Sequence, residues 1–116
     1  MSLDVLTVTV DSTDPVPLAH WWADQLGGTV NDPFEGNFVI VAGGPVQMAF
    51  QKVDDPTPGK NKVHVDLMAD DLDAEVDRLL AAGAGLVERR GVESFRWVTL
   101  SDPDGNEFCV AGPHEV

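Results

Sequence analysis

The chain repeats one short pattern twice, and this repeat constrains the fold more than any other feature. Residues 8–30 and residues 64–87 each contain an apolar strand, an acidic residue that can cap a helix, a helix followed by glycine, and another apolar strand. Aligning the two copies places Asp14 on Asp70. Such a duplication predicts a body with pseudo-twofold symmetry and a cleft between its halves, where function is expected to lie.

The first copy predicts one strand, one helix and three further strands. Asp14 is a candidate N-cap, and Pro15 suits the first helical position, where a missing N–H costs little. An apolar stripe with helical spacing, followed by Gly27, supports the helix and its end. The predicted strands span residues 3–10, 29–32, 37–42 and 45–53.

The second copy predicts the same order of elements after a linker. Residues 54–61 contain two prolines and a glycine and indicate that linker. Asp70 or Asp71 is expected to cap a helix that ends at Gly83. The predicted strands span residues 63–68, 85–88, 94–100 and 106–111.

Length and composition fit one globular domain. With 116 residues, of which 43% are apolar and 23% charged, the chain can bury a core. We therefore predict a single domain over residues 1–116, with module one at 1–55, the linker at 54–61 and module two at 62–116. The predicted fold class is α+β, with eight strands and two helices in two βαβββ modules.

The chain is strongly acidic, with a net charge of −13. This charge argues against nucleic acid and anionic membranes as partners, because both would be repelled. We see neither an apolar run long enough to cross a bilayer nor a basic-then-apolar leader, and Cys109 has no second cysteine to pair with. We therefore expect a cytoplasmic protein. The acidity indicates either attraction of a cationic ligand or, more simply, a surface that keeps the protein in solution.

Four groups of residues carry a resemblance to a known superfamily. They are VDSTDP with HWWADQLGG at 10–28, FQKVDDPTPGKNKVHVDL at 50–67, DDLDAEVDRLLAAGA at 70–84 and WVTLSDPDGNEFCV at 97–110. In this order they resemble the vicinal oxygen chelate superfamily, which includes glyoxalase I, bleomycin- and fosfomycin-resistance proteins and extradiol dioxygenases. Within it they are similar to the glyoxalase-like domains of actinobacterial genomes. The resemblance implies two half-barrels with helices outside, a cleft of mixed β-sheet between them, and a homodimer.

The superfamily's metal ligands are mostly missing from this sequence. By resemblance their positions fall at Thr7 or Val8, Ala49, His64 and Cys109, and only His64 is a usual ligand there. We therefore expect no cofactor. An unconventional divalent-metal site is the alternative, because Cys and His suit zinc. Its candidate ligands are His64, Glu107, Gln51 and Cys109.

Glu107 and His64 are the candidate catalytic residues. Glu107 occupies a strand position expected to face the cleft, where a carboxylate could act as a general base with His64 as its partner. A cross-strand ion pair or an exposed hairpin tip explains Glu107 equally well. A hydrogen bond to Asp66 would explain His64 without any metal or catalytic role.

Side chains on several strands are candidates for ligand binding. An aromatic-lined cleft suits a planar or apolar ligand, and the face of Trp can hold a cation. The same side chains could instead fill the interior of a small barrel. Arg89 and Arg90 could clamp a carboxylate or phosphate, although such pairs are more typical of solvated hairpins. The ligand-binding candidates are Trp97, Phe95, Phe38, Met48, Phe50, Gln51 and Met68.

The sequence supports three functional hypotheses. The leading one is a protein that binds a small organic ligand in the cleft between the modules without a metal. The second is a lyase or isomerase that uses His64 and Glu107, with or without a metal. The third is a resistance protein that sequesters a cationic drug, which the charge of −13 and the aromatic side chains motivate.

Overall fold

A computed structural model describes residues 5–61, 63–93 and 95–113. These residues form two compact units, the first ending at Thr57 and the second beginning at Pro58. The boundary lies inside the predicted linker. Within the described residues, neither helix is long and apolar enough to cross a membrane.

The first unit consists of a helix and a four-stranded sheet. The strands lie in the order β1-β4-β3-β2, with β1 parallel to β4 and the other neighbours antiparallel. The elements are β1 (Val8–Ser12), α1 (Pro15–Leu26), β2 (Thr29–Asn31), β3 (Phe38–Ala42) and β4 (Met48–Lys52).

The second unit has the same plan. Its strands lie in the order β5-β8-β7-β6, and β5 is parallel to β8. The predicted α+β fold of two βαβββ modules is therefore confirmed. The elements are β5 (Asp66–Met68), α2 (Leu72–Ala81), β6 (Gly85–Val92), β7 (Phe95–Ser101) and β8 (Glu107–Ala111).

The two helices begin with different caps. Asp14 occupies the N-cap position of α1 without a side-chain capping bond, and its backbone N–H donates to Ser12 Oγ at 3.1 Å. In α2, Oδ1 of Asp71 accepts a hydrogen bond from the Ala74 N–H at 3.1 Å. The cap of α2 is therefore Asp71 and not Asp70.

The helix ends differ as well. Gly27 ends α1 as predicted, with a left-handed φ of 69° and its N–H bonded to the Ala23 carbonyl. A side chain would strain that conformation, whereas glycine adopts it readily. Helix α2 ends at Ala81 and is capped by Ala82 in a right-handed conformation, so Gly83 follows the cap instead of forming it.

Each sheet buries the face that packs on its helix, and the central strands β4 and β7 also bury Ala49 and Thr99 on the other face. Helix α1 packs on β3 and β4, and helix α2 packs on β8. Side chains of successive residues point to opposite sides, so every second position joins the core. We call the opposite side of each sheet, away from the helix, its distal face. Buried core residues are Leu18, Trp22, Val39, Val41, Met48 and Phe50 in the first unit, and Leu72, Val76, Leu79, Val98, Leu100, Phe108 and Val110 in the second.

Two strands of the second unit differ from prediction. The strand predicted to end at Glu88 continues to Val92, paired with β7 throughout. Seven of the eight residues of β6 are exposed, so apolar periodicity could not reveal a strand held by backbone hydrogen bonds. By contrast, β5 covers only Asp66–Met68, and the predicted strand at 63–68 begins too early. His64 therefore precedes the strand.

Two strands of the first unit also have different bounds. The strand predicted at residues 3–10 spans Val8–Ser12, and its first two residues lie outside the described part of the chain. The strand predicted at residues 45–53 spans only Met48–Lys52. In both cases apolar residues beside the strand extended the predicted pattern past the paired backbone.

Candidate functional site

The distal face of the second sheet carries side chains that can bind or react. Residues opposite each other in the ladder point to the same side of a sheet. Asp66 pairs with Cys109, and Cys109 pairs with Thr99, so these three share that face. Trp97, two residues before Thr99, pairs with Arg90 and joins them. All four strands thus contribute to one surface.

His64, Asp66 and Cys109 form a cluster beside the edge strand β5. Nε2 of His64 lies 3.1 Å from Oδ1 of Asp66. The donor atoms of the three side chains all lie within 4.8 Å of one another. His64 and Asp66 are exposed, whereas Cys109 is half-buried. The contact between His64 and Asp66 is the one that the sequence suggested as the alternative to a metal role.

A network of polar contacts continues across the sheet from Cys109. Its Sγ lies 3.4 Å from Thr99 Oγ1, which also accepts a hydrogen bond from Nε of Arg90 at 3.1 Å. A hydroxyl can accept one bond while donating another, so Thr99 can serve both neighbours. Arg90 also forms an ion pair with Glu88, with 2.8 Å between nitrogen and oxygen. The guanidinium of Arg90 is therefore held from two sides.

Asn61 fastens the segment before β5 to the beginning of β8. Its Oδ1 accepts a hydrogen bond from the Glu107 N–H at 2.7 Å, and its Nδ2 donates to the Glu107 carbonyl at 3.0 Å. The same Nδ2 donates to the Val63 carbonyl at 2.6 Å. One amide side chain thus joins backbone groups that are far apart in sequence. It holds Lys60 and His64 beside Glu107.

These side chains line a small pocket of about 230 Å³. Trp97 is its aromatic wall, and the Phe95 ring lies beside Trp97 with 5.4 Å between ring centroids and a tilt of 36°. Drug-sized ligands occupy cavities of roughly 300–1,000 Å³, so this pocket suits a smaller molecule. The lining residues are Lys60, His64, Arg90, Trp97, Thr99, Glu107 and Cys109.

The structure brings together four of the residues predicted to be catalytic, metal-binding or ligand-binding. His64, Glu107, Cys109 and Trp97 all line this pocket. Phe95 contacts Trp97 but is not part of the lining. Met68 lies on β5, 62% exposed and outside the lining.

The predicted ligand-binding residues of the first unit lie on opposite faces of its sheet. Phe38 pairs with Gln51, and both line an open depression of about 590 Å³ together with Phe34. Met48 and Phe50 are 3% and 0% exposed and belong to the core that packs on α1. The period of two along a strand separates the two groups. Met48 and Phe50 are therefore core residues here, not part of a ligand surface.

Several residues of the pocket were not expected from the sequence. Lys60 and Asn61 lie in the predicted linker, where composition gives no sign of contact with β8. Arg90 was more simply explained as part of a solvated hairpin. Thr99 did have a usable signal, because it follows Trp97 by two residues and must share its face.

The cluster of His64, Asp66 and Cys109 can be tested for its fit to a metal. It offers nitrogen, oxygen and sulfur donors, a set that suits zinc better than magnesium or calcium. Three protein ligands with an open fourth position are the usual arrangement of catalytic zinc. The donor chemistry therefore fits a zinc ion, although only His64 and Cys109 were among the sequence candidates. Gln51 lies in the first unit, and the expectation that the protein uses no metal stays a prediction.

Comparisons with solved structures show the fold. A glyoxalase/bleomycin resistance protein/dioxygenase family enzyme from Burkholderia phytofirmans PsJN is 19% identical, with a TM-score of 0.79 over 95% of this chain and 98% of that chain. The fosfomycin resistance protein FosX from Listeria monocytogenes is 12% identical, with a TM-score of 0.78 over 97% and 95%. Lactoylglutathione lyase from Agrobacterium tumefaciens is 17% identical, with a TM-score of 0.69 over 94% and 92%. At such identities the likeness concerns the fold alone.

Sequence comparison gives the family. A search of curated proteins found no match. Residues 7–111, nearly the whole chain, match the sequence model of the glyoxalase-like domain family. The chain therefore belongs to the glyoxalase-like domain family, with the fold of the glyoxalase/bleomycin resistance/dioxygenase, or vicinal oxygen chelate, superfamily.

Proposed function

We propose that the protein binds a small organic molecule on the distal face of the second sheet, in the pocket beside Trp97. The observation that carries this proposal is the convergence of an aromatic wall and several polar groups on one pocket of about 230 Å³. A mainly concave, partly apolar surface with a few fixed polar groups is the general form of a small-molecule site.

The fixed geometry of the pocket supports the proposal. Thr99 and Glu88 hold the guanidinium of Arg90, and Asn61 holds the segment that carries Lys60. Side chains that are already ordered lose less entropy when a ligand binds, so a small ligand can still bind measurably.

The three tryptophans provide a direct test. Trp97 lines the pocket, whereas Trp21 and Trp22 lie on α1 in the first unit, with 5.1 Å between their ring centroids. In protein labelled with ¹⁵N-tryptophan, we expect members of a chemically diverse fragment set to shift the indole N–H signal of Trp97. The signals of Trp21 and Trp22 serve as internal controls.

The assignment comes from Trp97→Phe, which removes one of the three signals. A fragment set that leaves the Trp97 signal in place, or that moves all three signals alike, contradicts the proposed function.

A second candidate function is metal-assisted acid–base catalysis, and the cluster of His64, Asp66 and Cys109 favours it. A bound zinc ion polarises a carbonyl group or makes bound water more acidic. Glu107 lines the same pocket and can accept a proton from a substrate held there. His64, when it is not a ligand, can exchange protons in the same way, steadied by Asp66.

Titration with Zn²⁺ and Co²⁺ separates the two candidates. If the cluster binds metal, calorimetry gives one equivalent, and Co²⁺ adds a thiolate charge-transfer band that Cys109→Ser removes. His64→Ala and Asp66→Asn should each weaken binding, whereas Asp77→Asn, an exposed carboxylate on α2, should not. Absence of heat and of the cobalt band excludes the metal-assisted candidate and leaves the metal-free one.

A homodimer is also proposed, and the edge strand β6 supports it. Leu86, Val87 and Val92 on this strand are 47%, 45% and 66% exposed. The outer edge of β6 offers backbone groups to another chain, with these apolar side chains beside them. Sedimentation velocity over a range of concentrations tests this proposal, and a monomer at every concentration contradicts it.

A further inference from the structure

We infer that the pocket takes a small planar carboxylate, with its ring on Trp97 and its carboxylate between Arg90 and Lys60. This inference rests on the proposed function and adds the chemical class of the ligand. It also opposes the cationic ligand that the net charge alone suggested.

The pocket is less acidic than the chain as a whole. The protein has 20 Asp and Glu residues against 7 Lys and Arg residues. Among the described residues, the lining nevertheless contains Lys60 and Arg90 against one carboxylate, Glu107. A cationic ligand would meet two like charges there, whereas an anionic ligand would be attracted.

Arg90 is placed to bind a carboxylate. Its described contacts use Nε, bonded to Thr99, and one terminal nitrogen, paired with Glu88. A guanidinium has five N–H groups in a fixed plane, so others stay available for two parallel bonds to a carboxylate. Because the group is already held, little order is lost on binding.

Lys60 supplies the second positive charge. Within the described part of the chain it forms no ion pair with a carboxylate, and Asn61 fixes the neighbouring backbone to β8. A lysine that no described carboxylate neutralises, beside a held arginine, is a suitable counter-ion for a ligand.

The two carboxylates near the pocket determine which kind of anion it favours. Glu88 offsets part of the charge of Arg90, and Glu107 lies in the same lining. The two positive charges are therefore balanced by two negative ones, so the site offers direct bonds and no net positive field, which favours a singly charged carboxylate over a doubly charged phosphate. The Trp97 wall favours a planar, conjugated group through stacking, and the small volume limits that group to a single ring.

Three probes that share a styryl group and carry a negative, neutral or positive head group test the inference. They are trans-cinnamate, cinnamamide and cinnamylammonium, each titrated at low salt while the Trp97 indole signal is followed. We expect cinnamate to bind about tenfold tighter than the amide and the ammonium to bind weakest, since hydrogen bonds to charged groups add roughly that factor. Added salt should narrow the difference between cinnamate and the amide.

Variants of cations inside and outside the pocket show which residues cause the preference for cinnamate. Arg90→Gln and Lys60→Gln should each weaken cinnamate binding about tenfold and leave the amide nearly unchanged. Arg89→Gln is the matched control, because Arg89 is exposed and its ladder partner Val98 belongs to the core face, so it lies on the other side of the sheet. Lys52→Gln in the first unit controls for the loss of a lysine.

The outcomes distinguish this inference from the proposed function. Equal binding of all three probes, or tighter binding of the ammonium, overturns the carboxylate and leaves the small-molecule site intact. The same holds if Arg89→Gln acts as strongly as Arg90→Gln. If neither the probes nor the diverse fragment set moves the Trp97 signal, both proposals fail.

Discussion

The two units repeat one scaffold but carry different distal faces. In each, a parallel pair of strands includes a core pair, Val10 with Phe50 in the first sheet and Leu67 with Val110 in the second. The residues one position earlier on these parallel strands, together with their partner on the neighbouring strand, form a row across the distal face. In the first sheet this row is Thr9, Ala49 and Ile40; in the second sheet the equivalent row is Asp66, Cys109 and Thr99.

The two sheets share an aromatic position on the distal face but differ in the ionisable and thiol groups beside it. Both sheets keep an aromatic residue at the next distal position of the third strand, Phe38 in the first and Trp97 in the second. Ionisable and thiol groups occur in the central row of the second sheet only, where a carboxylate and a thiol replace Thr9 and Ala49. Because the backbone plan of the two sheets is the same, the strand side chains of the second copy distinguish its distal face, and Lys60 and His64 from the segment before β5 complete the pocket.

The largest predicted loss of stability comes from a comparison of the two faces of the first sheet. Phe50→Ala removes a fully buried ring from the core and should lower the free energy of unfolding by about 3–5 kcal/mol. Phe38→Ala, on the distal face and half-buried, should lower it much less. Chemical denaturation measures both. Equal losses would show that the distal face of this unit is packed as tightly as its core.

Asn61 gives the next largest effect on stability. In the first unit the segments before β1 and β4 are joined by a side-chain bond, from Gln47 Nε2 to Thr7 Oγ1 at 2.7 Å. Asn61→Ala removes three side-chain hydrogen bonds and should lower the free energy of unfolding by roughly 2 kcal/mol. It should also weaken ligand binding, because Lys60 loses its fixed position. The control is Asn37→Ala, whose side chain makes one exposed bond to the Phe34 carbonyl. Unchanged stability of the Asn61 variant would contradict its role.

The sequence predicted the scaffold well because local chemistry determines it. Pro15 and Gly27 mark the ends of α1 by their backbone preferences, and both lie where expected. The alternation of buried and exposed positions also depends on the local sequence, so it located the core strands. The extension of β6 to Val92 was missed because its residues are exposed and show no apolar alternation, although their partners in β7 follow closely along the chain.

The site was predictable only in part. The resemblance pointed to His64 and Cys109, strand alternation pointed to Glu107 and Trp97, and all four line the pocket. Lys60 enters the pocket through a long-range contact of its neighbour Asn61, which no local pattern encodes. The sequence therefore reveals which side chains share a strand face, but not which loop is folded against that face.

The smallest predicted effect concerns the helix caps of the two copies. Asp71→Ala removes a side-chain bond to the Ala74 N–H and should cost about 1 kcal/mol of stability. Asp14→Ala, at the equivalent position, should change the stability by less than about half of that, since Asp14 makes no side-chain capping bond. In the first copy Ser12 accepts the Asp14 N–H instead, so Ser12→Ala should be the costlier change there. Thermal unfolding of the three variants measures the order, and an Asp14 effect equal to that of Asp71 would mean that the two acidic caps work alike.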